Sequence, residues 1–230
     1  MDGAKRVIKY FAISLAAVLI VAIFAGITFG GLGIITAGQM VTDNSRMEVG
    51  CESEESCLAI SLAYSRLEIK VGDELTAESN DEKVEISKED NRLIINERDS
   101  SWNWFGKNDD KKITVYVPKD MELERVEISG GVGDVSIESL KAKNMKMSFG
   151  VGAATIDSLE VENAEISSGI GEINVNLVSD AEDYTVNLSK GLGEVRFNGA
   201  TVGNDATIGN GERLVKISGG IGAINVNTAK

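Results

Sequence analysis

The stretch SSGIGEINV, Ser167–Val175, decides the fold that this sequence predicts, because it is one of five copies of a single pattern. Each copy reads Ser-x-Gly-Φ-Gly-x-Φ-x-Φ, in which Φ is an apolar residue or Ala. The copies begin at Ser129, Ser148, Ser167, Ser189 and Ser218. The first three begin 19 residues apart, and the later gaps are 22 and 29 residues. Self-similarity at such a period is typical of a stacked repeat architecture.

Apolar and polar residues alternate on both sides of the glycine turn. In the third copy, Ala164 and Ile166 flank the polar Glu165 before the turn, and Ile173 and Val175 follow it. A period of two indicates β-strands with one buried face. We therefore expect each copy to form a strand, a tight corner and a second strand.

Two glycines stand at every corner. A corner that repeats in each coil favours glycine, because it needs positive φ or a close approach of two backbones. The ten turn glycines are Gly131, Gly133, Gly150, Gly152, Gly169, Gly171, Gly191, Gly193, Gly220 and Gly222. We expect successive copies to pair in parallel and the residues between the glycines, such as Ile170, to point into a shared core. The sequence thus predicts an all-β fold, a β-solenoid.

The rest of the domain also contains strand patterns. Residues 58–120 lack the glycine turn but include RLEIKV and KKITVYVP, and we expect them to form the opening coils and to cap one end. Pro118 would close a strand, where its missing N–H does least harm. The longest gap contains GATVGNDATIGNGER, which has room for a loop or hairpin over one edge.

The N-terminal 42 residues differ from the remainder. Lys5, Arg6 and Lys9 precede an uncharged stretch, and its most apolar part is residues 11–35. About 20 apolar residues suffice to cross a bilayer. Basic residues on the N-terminal side favour a cytoplasmic N-terminus. These features predict a single-pass protein of the cell membrane with an extracellular C-terminal domain.

The predicted organisation has four parts. They are a cytoplasmic segment at 1–10, a transmembrane helix at 11–35, an acidic stalk at 36–57 and an exported β-solenoid at 58–230. A cleaved signal peptide is the alternative for the N-terminal segment, although its apolar region usually spans only about 7–15 residues. Cys51 and Cys57 in the stalk could close a small structural disulfide loop in an oxidising exterior.

Composition excludes several kinds of chemistry. The sequence has no His, so an imidazole base, a Ser-His-Asp triad and a His-containing zinc site are all ruled out. Beyond the first ten residues, 20 basic and 35 acidic side chains give a net charge of −15. Such a domain should not bind nucleic acid or an anionic lipid surface by charge. We expect no cofactor, no metal and no enzymatic activity.

Two ligand-binding alternatives exist for the G-x-G turn. A phosphate loop would need a following helix or a Gly-Lys-Ser/Thr sequence, and neither is present. A calcium repeat would need oxygen ligands at every corner. The residues after the second glycine are Asp134, Ala153, Glu172, Glu194 and Ala223. Two of the five lack a side-chain oxygen, so the structural interpretation is favoured.

One aromatic cluster stands out in a polar loop. Trp102, Trp104 and Phe105 include both tryptophans of the chain. If exposed, these rings could stack on a carbohydrate, contact a cell-surface protein or touch the membrane interface. The alternative is that they cover the open end of the solenoid. They are the predicted contact residues.

The sequence from residue 111 to 140, KKITVYVPKDMELERVEISGGVGDVSIESL, carries a family resemblance. Together with the repeated G-x-G units, it resembles the bacterial "putative adhesin" domain family over roughly residues 60–230. The resemblance implies a β-solenoid-like exported domain without catalytic residues. It leads us to expect a membrane-anchored structural or interaction module such as an adhesin. The alternative is an envelope-stress or signalling component that senses a ligand through this domain.

Overall fold

A computed structural model of the chain describes residues 55–98 and 111–229. The strands in these ranges are β1 (Cys57–Leu62), β2 (Arg66–Gly72), β3 (Thr76–Ser79), β4 (Val84–Glu89), β5 (Arg92–Glu97), β6 (Lys112–Pro118), β7 (Glu122–Val132), β8 (Val135–Ile137), β9 (Leu140–Val151), β10 (Ala154–Asp180), β11 (Tyr184–Phe197), β12 (Ala200–Val202), β13 (Asp205–Ile208) and β14 (Arg213–Ala229). A 3₁₀ turn at Ala181–Asp183 precedes β11. No helix in the described ranges is long and apolar enough to cross a membrane. The predicted helix at 11–35 lies outside them.

The strands stack as seven coils, numbered by their position in the stack. Coil 1 is β5 with β6, coil 2 is β1 with β2, coil 3 is β7 with β8, coil 4 is β9 with residues 154–156, coil 5 is residues 159–180, coil 6 is β14 and coil 7 is β11. Each coil pairs in parallel with its neighbours. The expected all-β, solenoid-like fold is therefore confirmed.

The order of the coils differs from the order of the chain, so the expectation of pairing between successive copies is wrong at one point. The copy at Ser167 pairs with the copy at Ser218, which in turn pairs with the copy at Ser189. The chain leaves coil 5, forms coil 7 and then returns to fill coil 6. The last copy in the sequence thus lies between the third and the fourth.

Charge explains why this arrangement is favourable. In the column after the second glycine, the stack places Asp134, Ala153, Glu172, Ala223 and Glu194 on successive coils. Neighbouring strands are about 4.8 Å apart. If coil 7 lay directly on coil 5, two glutamates would face each other at that spacing, which destabilises a sheet. An alanine of coil 6 separates them instead.

Amide side chains connect coils 5 and 6. Asn225 Nδ2 donates a hydrogen bond to Asn174 Oδ1 at 2.8 Å, and Asn227 Nδ2 donates to Asn176 Oδ1 at 2.9 Å. The matching sequences INVN in the two copies put these residues in register. Each bond of this kind contributes about 1 kcal/mol to stability.

The core is one continuous set of aliphatic columns. β-Branched and long aliphatic residues fit the half-buried surface of a strand. Two columns come from the first strand of each coil and two from the second, as Ala164, Ile166, Ile173 and Val175 illustrate in coil 5. All four are at most 5% exposed. A single coil could not bury these side chains, so stacking provides most of the stability.

Antiparallel strands close both ends of the stack. β3 and β4 pair with β6 and β5 of coil 1, and β12 and β13 pair with β11 of coil 7. Short covering strands limit the exposure of a sheet edge to other chains. The expected capping role of residues 58–120 and of the long gap is confirmed. Pro118 is the last residue of β6, as predicted.

Cys57 is fully buried and forms a disulfide. It is the first residue of β1, so the sheet includes the residue at which the predicted stalk ends. Cys51 lies outside the described residues, so the pairing of Cys51 with Cys57 stays a prediction.

Candidate interaction surface

The residue between the two corner glycines is exposed or half-buried in every copy, so the expectation that it points into the core is wrong. Val132 is 46% exposed, Ile221 is 37% exposed and Leu192 is 67% exposed. Val151 and Ile170 are half-buried. An aliphatic side chain thus emerges from the corner of every glycine-containing coil.

The backbone of the corner explains this direction. The second glycine has φ between 135° and 150° in all five copies, a region that disfavours other residues. In coil 5 the residues on either side of the corner that enter the core are Ile166 and Ile173, seven positions apart. An odd separation breaks the alternation of a strand. The corner therefore shifts the inward–outward alternation of side chains by one residue, and Ile170 lies at the bend outside the core.

The same position in coil 2 holds an aromatic ring. Leu62 pairs with Gly130 and Leu67 pairs with Val135, which aligns Tyr64 with Val132. The aligned side chains form a stripe that we call the corner ridge. In stack order it consists of Tyr64, Val132, Val151, Ile170, Ile221 and Leu192. With a spacing of about 4.8 Å between coils, the ridge is about 24 Å long.

The corner ridge concentrates the exposed apolar surface of the domain. Six large hydrophobic residues in the described ranges are exposed, and four of them belong to the ridge. The other two, Ile86 and Val178, lie elsewhere on the fold. Contiguous exposed apolar surface marks sites of interaction more often than scattered residues do.

Acidic side chains run along one side of the ridge. Asp134, Glu172 and Glu194 each follow a second corner glycine and lie on alternate coils. We call them the carboxylate row. Hydrogen bonds from Thr201 and Arg196 hold the pKa of Glu194 below its ordinary value. Asp134 accepts a hydrogen bond from the backbone of Ala153 at 3.0 Å.

An ion pair holds the Tyr64 end of the ridge. Lys111 Nζ lies 4.6 Å from the centre of the Tyr64 ring, donates to its hydroxyl at 3.0 Å and lies 2.7 Å from Asp81 Oδ2. These contacts raise the pKa of Lys111, with the Asp81 carboxylate as the larger cause. Burial acts to raise the pKa of Asp81, but hydrogen bonds from Lys111 and the Lys83 backbone outweigh it and lower the pKa. The ring is thereby fixed in place.

The inner side of the corner is filled differently from coil to coil. Phe149, Ser168 and Lys190 occupy equivalent positions two residues before the ridge, and all three are buried. Burial lowers the pKa of Lys190. The Ser168 hydroxyl is buried without a hydrogen-bond partner. The residues beneath the ridge vary in kind, whereas the ridge itself stays apolar.

The corner of coil 2 has no glycine and is held by a carboxylate. Glu97 Oε2 accepts hydrogen bonds from the backbone N–H groups of Ala63, Tyr64 and Ser65 at 2.8, 3.1 and 3.1 Å. Glu97 Oε1 accepts a further bond from the Ser65 hydroxyl at 2.7 Å. Successive N–H groups that converge on one anion form a nest.

A shallow groove of about 360 Å³ lies on the outer face of the first strands. Its wall includes Glu127, Lys146, Glu165 and Lys216, which alternate in sign from coil to coil. Opposite charges on adjacent strands stabilise one another. Sheet stability therefore explains the alternating charges in the groove.

The sequence-predicted contact residues Trp102, Trp104 and Phe105 lie outside the described residues, so their role stays a prediction. Within the described ranges, no group of three His, Cys, Asp or Glu side chains could hold a metal ion. The corner ridge was missed because alternation alone places its residues inside. The signal for it is the restriction of the position between the glycines to Val, Ile and Leu.

The fold and the corner ridge define a solenoid-like β-domain with a repeated apolar edge. The family model described as Toastrack DUF4097 matches residues 52–229, and the chain belongs to this family. This membership confirms the resemblance that the sequence indicates. No curated protein matches the chain.

Solved structures also resemble this chain. A "putative cell adhesion protein" from Clostridium sporogenes is 19% identical and has a TM-score of 0.61 over 76% of this chain and 93% of that chain. The likeness extends to the fold. A "putative adhesin" from Bacteroides fragilis is 16% identical over 74% of this chain and 92% of that chain, with a TM-score of only 0.32.

Proposed function

We propose that this protein is a membrane-anchored, non-enzymatic interaction module of the adhesin type, with its β-domain outside the cell. The corner ridge is the surface that contacts the partner. The observation that carries the proposal is the line of six apolar side chains in one column, which includes four of the six exposed large hydrophobic residues of the described chain. Burying a fully exposed side chain of this kind contributes about 1.5–3 kcal/mol, and each ridge side chain, being partly exposed, contributes a fraction of that.

Two further observations support this function. The protein of similar fold from Clostridium sporogenes is described as a "putative cell adhesion protein". Parallel coils held by a continuous core form a stiff support, which keeps the ridge side chains aligned without a partner. A binding surface that is already ordered loses little conformational entropy when a partner binds.

The topology has its own test. Protease added to intact cells that produce the full chain should remove the β-domain, because residues 58–230 are proposed to lie outside the cell. A cytoplasmic marker protein serves as the control and should stay intact. A β-domain that is protected until the cells are lysed would contradict the proposed location.

The role of the ridge is tested by adhesion of cells that display the full chain. The variant Val132→Ser/Ile221→Ser/Leu192→Ser makes three exposed ridge positions polar, and adhesion should fall about tenfold or more. Val178→Ser is the matched control, since Val178 is 42% exposed and lies off the ridge. Circular dichroism should show the same β-content in both variants. Equal adhesion of the two would contradict the proposed surface.

A further inference from the structure

The shape of the corner ridge limits what can cover it. The ridge is about 24 Å long and one side chain wide. A second copy of this domain resting on the ridge would bring together two domains of strongly negative net charge. A slender partner that follows the ridge lengthwise fits better.

The spacing of the ridge favours a helical partner. An α-helix rises 1.5 Å per residue, so an apolar stripe that repeats every 3.5 residues recurs about every 5.3 Å. The coils recur about every 4.8 Å. Such a helix places about one apolar side chain on each coil, and about 16 residues cover the ridge. A β-strand rises about 3.3 Å per residue, and its same-face residues recur about every 6.6 Å, which matches the coils less well.

The carboxylate row adds a second period. Asp134, Glu172 and Glu194 lie on alternate coils, about 9.6 Å apart. Seven residues of a helix span about 10.5 Å, so basic residues at heptad spacing face the row. Glu194 already pairs with Arg196 at 2.9 Å, and Asp134 is in register with Arg66 of coil 2, so Glu172 offers the strongest attraction. Because the row lies on one side of the ridge only, the basic residues of the helix must lie on that same side of its apolar stripe.

We infer that the occupant of the corner ridge is an amphipathic α-helix of about four to five turns, with its apolar stripe on Tyr64, Val132, Val151, Ile170, Ile221 and Leu192 and with Lys or Arg beside the stripe. This inference rests on the proposed function and names the class of its partner. The helix is a segment of another protein or a free peptide. Arg66 of coil 2 is in register with Asp134 of coil 3 and disfavours basic residues at that end of the ridge.

The test uses the full chain in phosphatidylcholine nanodiscs and a labelled 18-residue peptide of Leu and Lys in heptad order. Fluorescence anisotropy measures binding, and empty nanodiscs provide the blank. A peptide of the same composition with its order scrambled tests the need for amphipathicity. A third peptide, in which Glu replaces Lys, tests the need for positive charge. The heptad Leu/Lys peptide should bind the chain above the blank and gain helical circular dichroism, and the other two should bind at least tenfold more weakly.

Variants of the chain locate the site. Val132→Ser/Ile221→Ser/Leu192→Ser should weaken binding of the heptad Leu/Lys peptide at least tenfold, whereas Val178→Ser should leave it within twofold. Asp134→Asn/Glu172→Gln should weaken it about threefold to tenfold, with a smaller dependence on salt. Binding that is equal for the ridge variant and the wild type would overturn the inference, as would equal binding of the scrambled peptide.

Failure of the partner class can be told apart from failure of the proposed function. If adhesion depends on the ridge but the heptad Leu/Lys peptide does not bind, the helical partner is wrong and the interaction module stands. If neither depends on the ridge, both are wrong. If the ridge variant converts an oligomer to a monomer in analytical ultracentrifugation, the occupant is a second copy of the chain, and the inference is overturned.

Discussion

The corner of coil 2 and the corner of coil 5 solve the same backbone problem by different means. In coil 5, Gly171 has φ of 148° and passes so close to coil 4 that a Cβ would lie 1.7 Å from the Gly152 carbonyl oxygen. In coil 2, Ala63, Tyr64 and Ser65 form the corner without glycine, and the Glu97 carboxylate accepts their three N–H groups. An interior coil needs close packing of two backbones, whereas a corner next to the end of the stack can accept an inserted side chain.

The place of Glu97 in the stack explains how its carboxylate reaches the corner of coil 2. It belongs to coil 1, at the place that Gly130 and Phe149 occupy in coils 3 and 4. Residues 99–110, which follow β5 in the sequence, contain no pair of corner glycines. The corner N–H groups of coil 2 therefore donate to a carboxylate. In other corners an N–H group donates to the backbone of a neighbouring coil, as Gly152 N does to Ile170 O at 3.0 Å. A buried N–H group without a partner would cost about 1–3 kcal/mol.

The largest effect should come from a methyl group at an interior corner. Gly171→Ala combines positive φ with a clash against backbone, and we expect a loss of more than 4 kcal/mol of stability or failure to fold. Gly199→Ala is the matched control, because Gly199 also has positive φ (78°) but no atom lies within 4 Å of the added Cβ. It should cost about 1–2 kcal/mol. Thermal unfolding of the full chain in a mild detergent, followed by circular dichroism, measures both. Similar losses would refute the role of close packing.

Removal of the Glu97 carboxylate should come second. Glu97→Ala leaves three N–H groups and the Ser65 hydroxyl without their acceptor, and we expect a loss of about 3–5 kcal/mol. Glu97→Gln keeps an acceptor oxygen and should lose less. Ser65→Ala removes only one of the four hydrogen bonds and should cost about 1 kcal/mol. Urea unfolding of the three variants gives the ranking, and a Glu97→Ala chain as stable as the wild type would show that the nest does not hold the corner.

The smallest effect concerns pH at the same corner. Because the pKa of Asp81 is lowered in the folded state, its ion pair with Lys111 stabilises the fold above the ordinary value of 3.8, and this contribution is lost as the pH falls through the lowered pKa. Asp81→Asn should therefore lower stability by about 1 kcal/mol at pH 7 and by less at pH 3. Urea unfolding at the two pH values measures the difference. An equal loss at both would show that the effect is not electrostatic.

Much of the fold could be predicted because its signals are local. Period-two alternation located the strands around each glycine pair, and Pro118 marked the end of β6. β3, with the sequence TAES, was missed because it is short and lacks an apolar pattern. Its pairing with β6 gives it strand conformation where its own propensity does not.

The candidate site could be predicted only in part. The residues between the glycines are visible in the sequence as a column restricted to Val, Ile and Leu. Their exposure was not predictable from alternation, because the corner changes the phase of the alternation. Tyr64 could not be placed in the column at all, since coil 2 carries no glycine pair and only the register of β1 with β7 aligns the ring with Val132.

The sequence by itself determined the repeat, the strand pattern, the glycine corners and the strongly acidic character of the chain, because each depends on the identity and spacing of residues near one another. The tertiary structure alone decided the order of the coils and the direction of the ridge. Coil 6 enters between coils 5 and 7 because contacts between distant copies, such as Asn225 with Asn174, favour that order. If the coils stacked in chain order, Glu172 and Glu194 would lie on adjacent coils and destabilise the sheet. Such interactions arise only when the coils stack, so no single copy contains them.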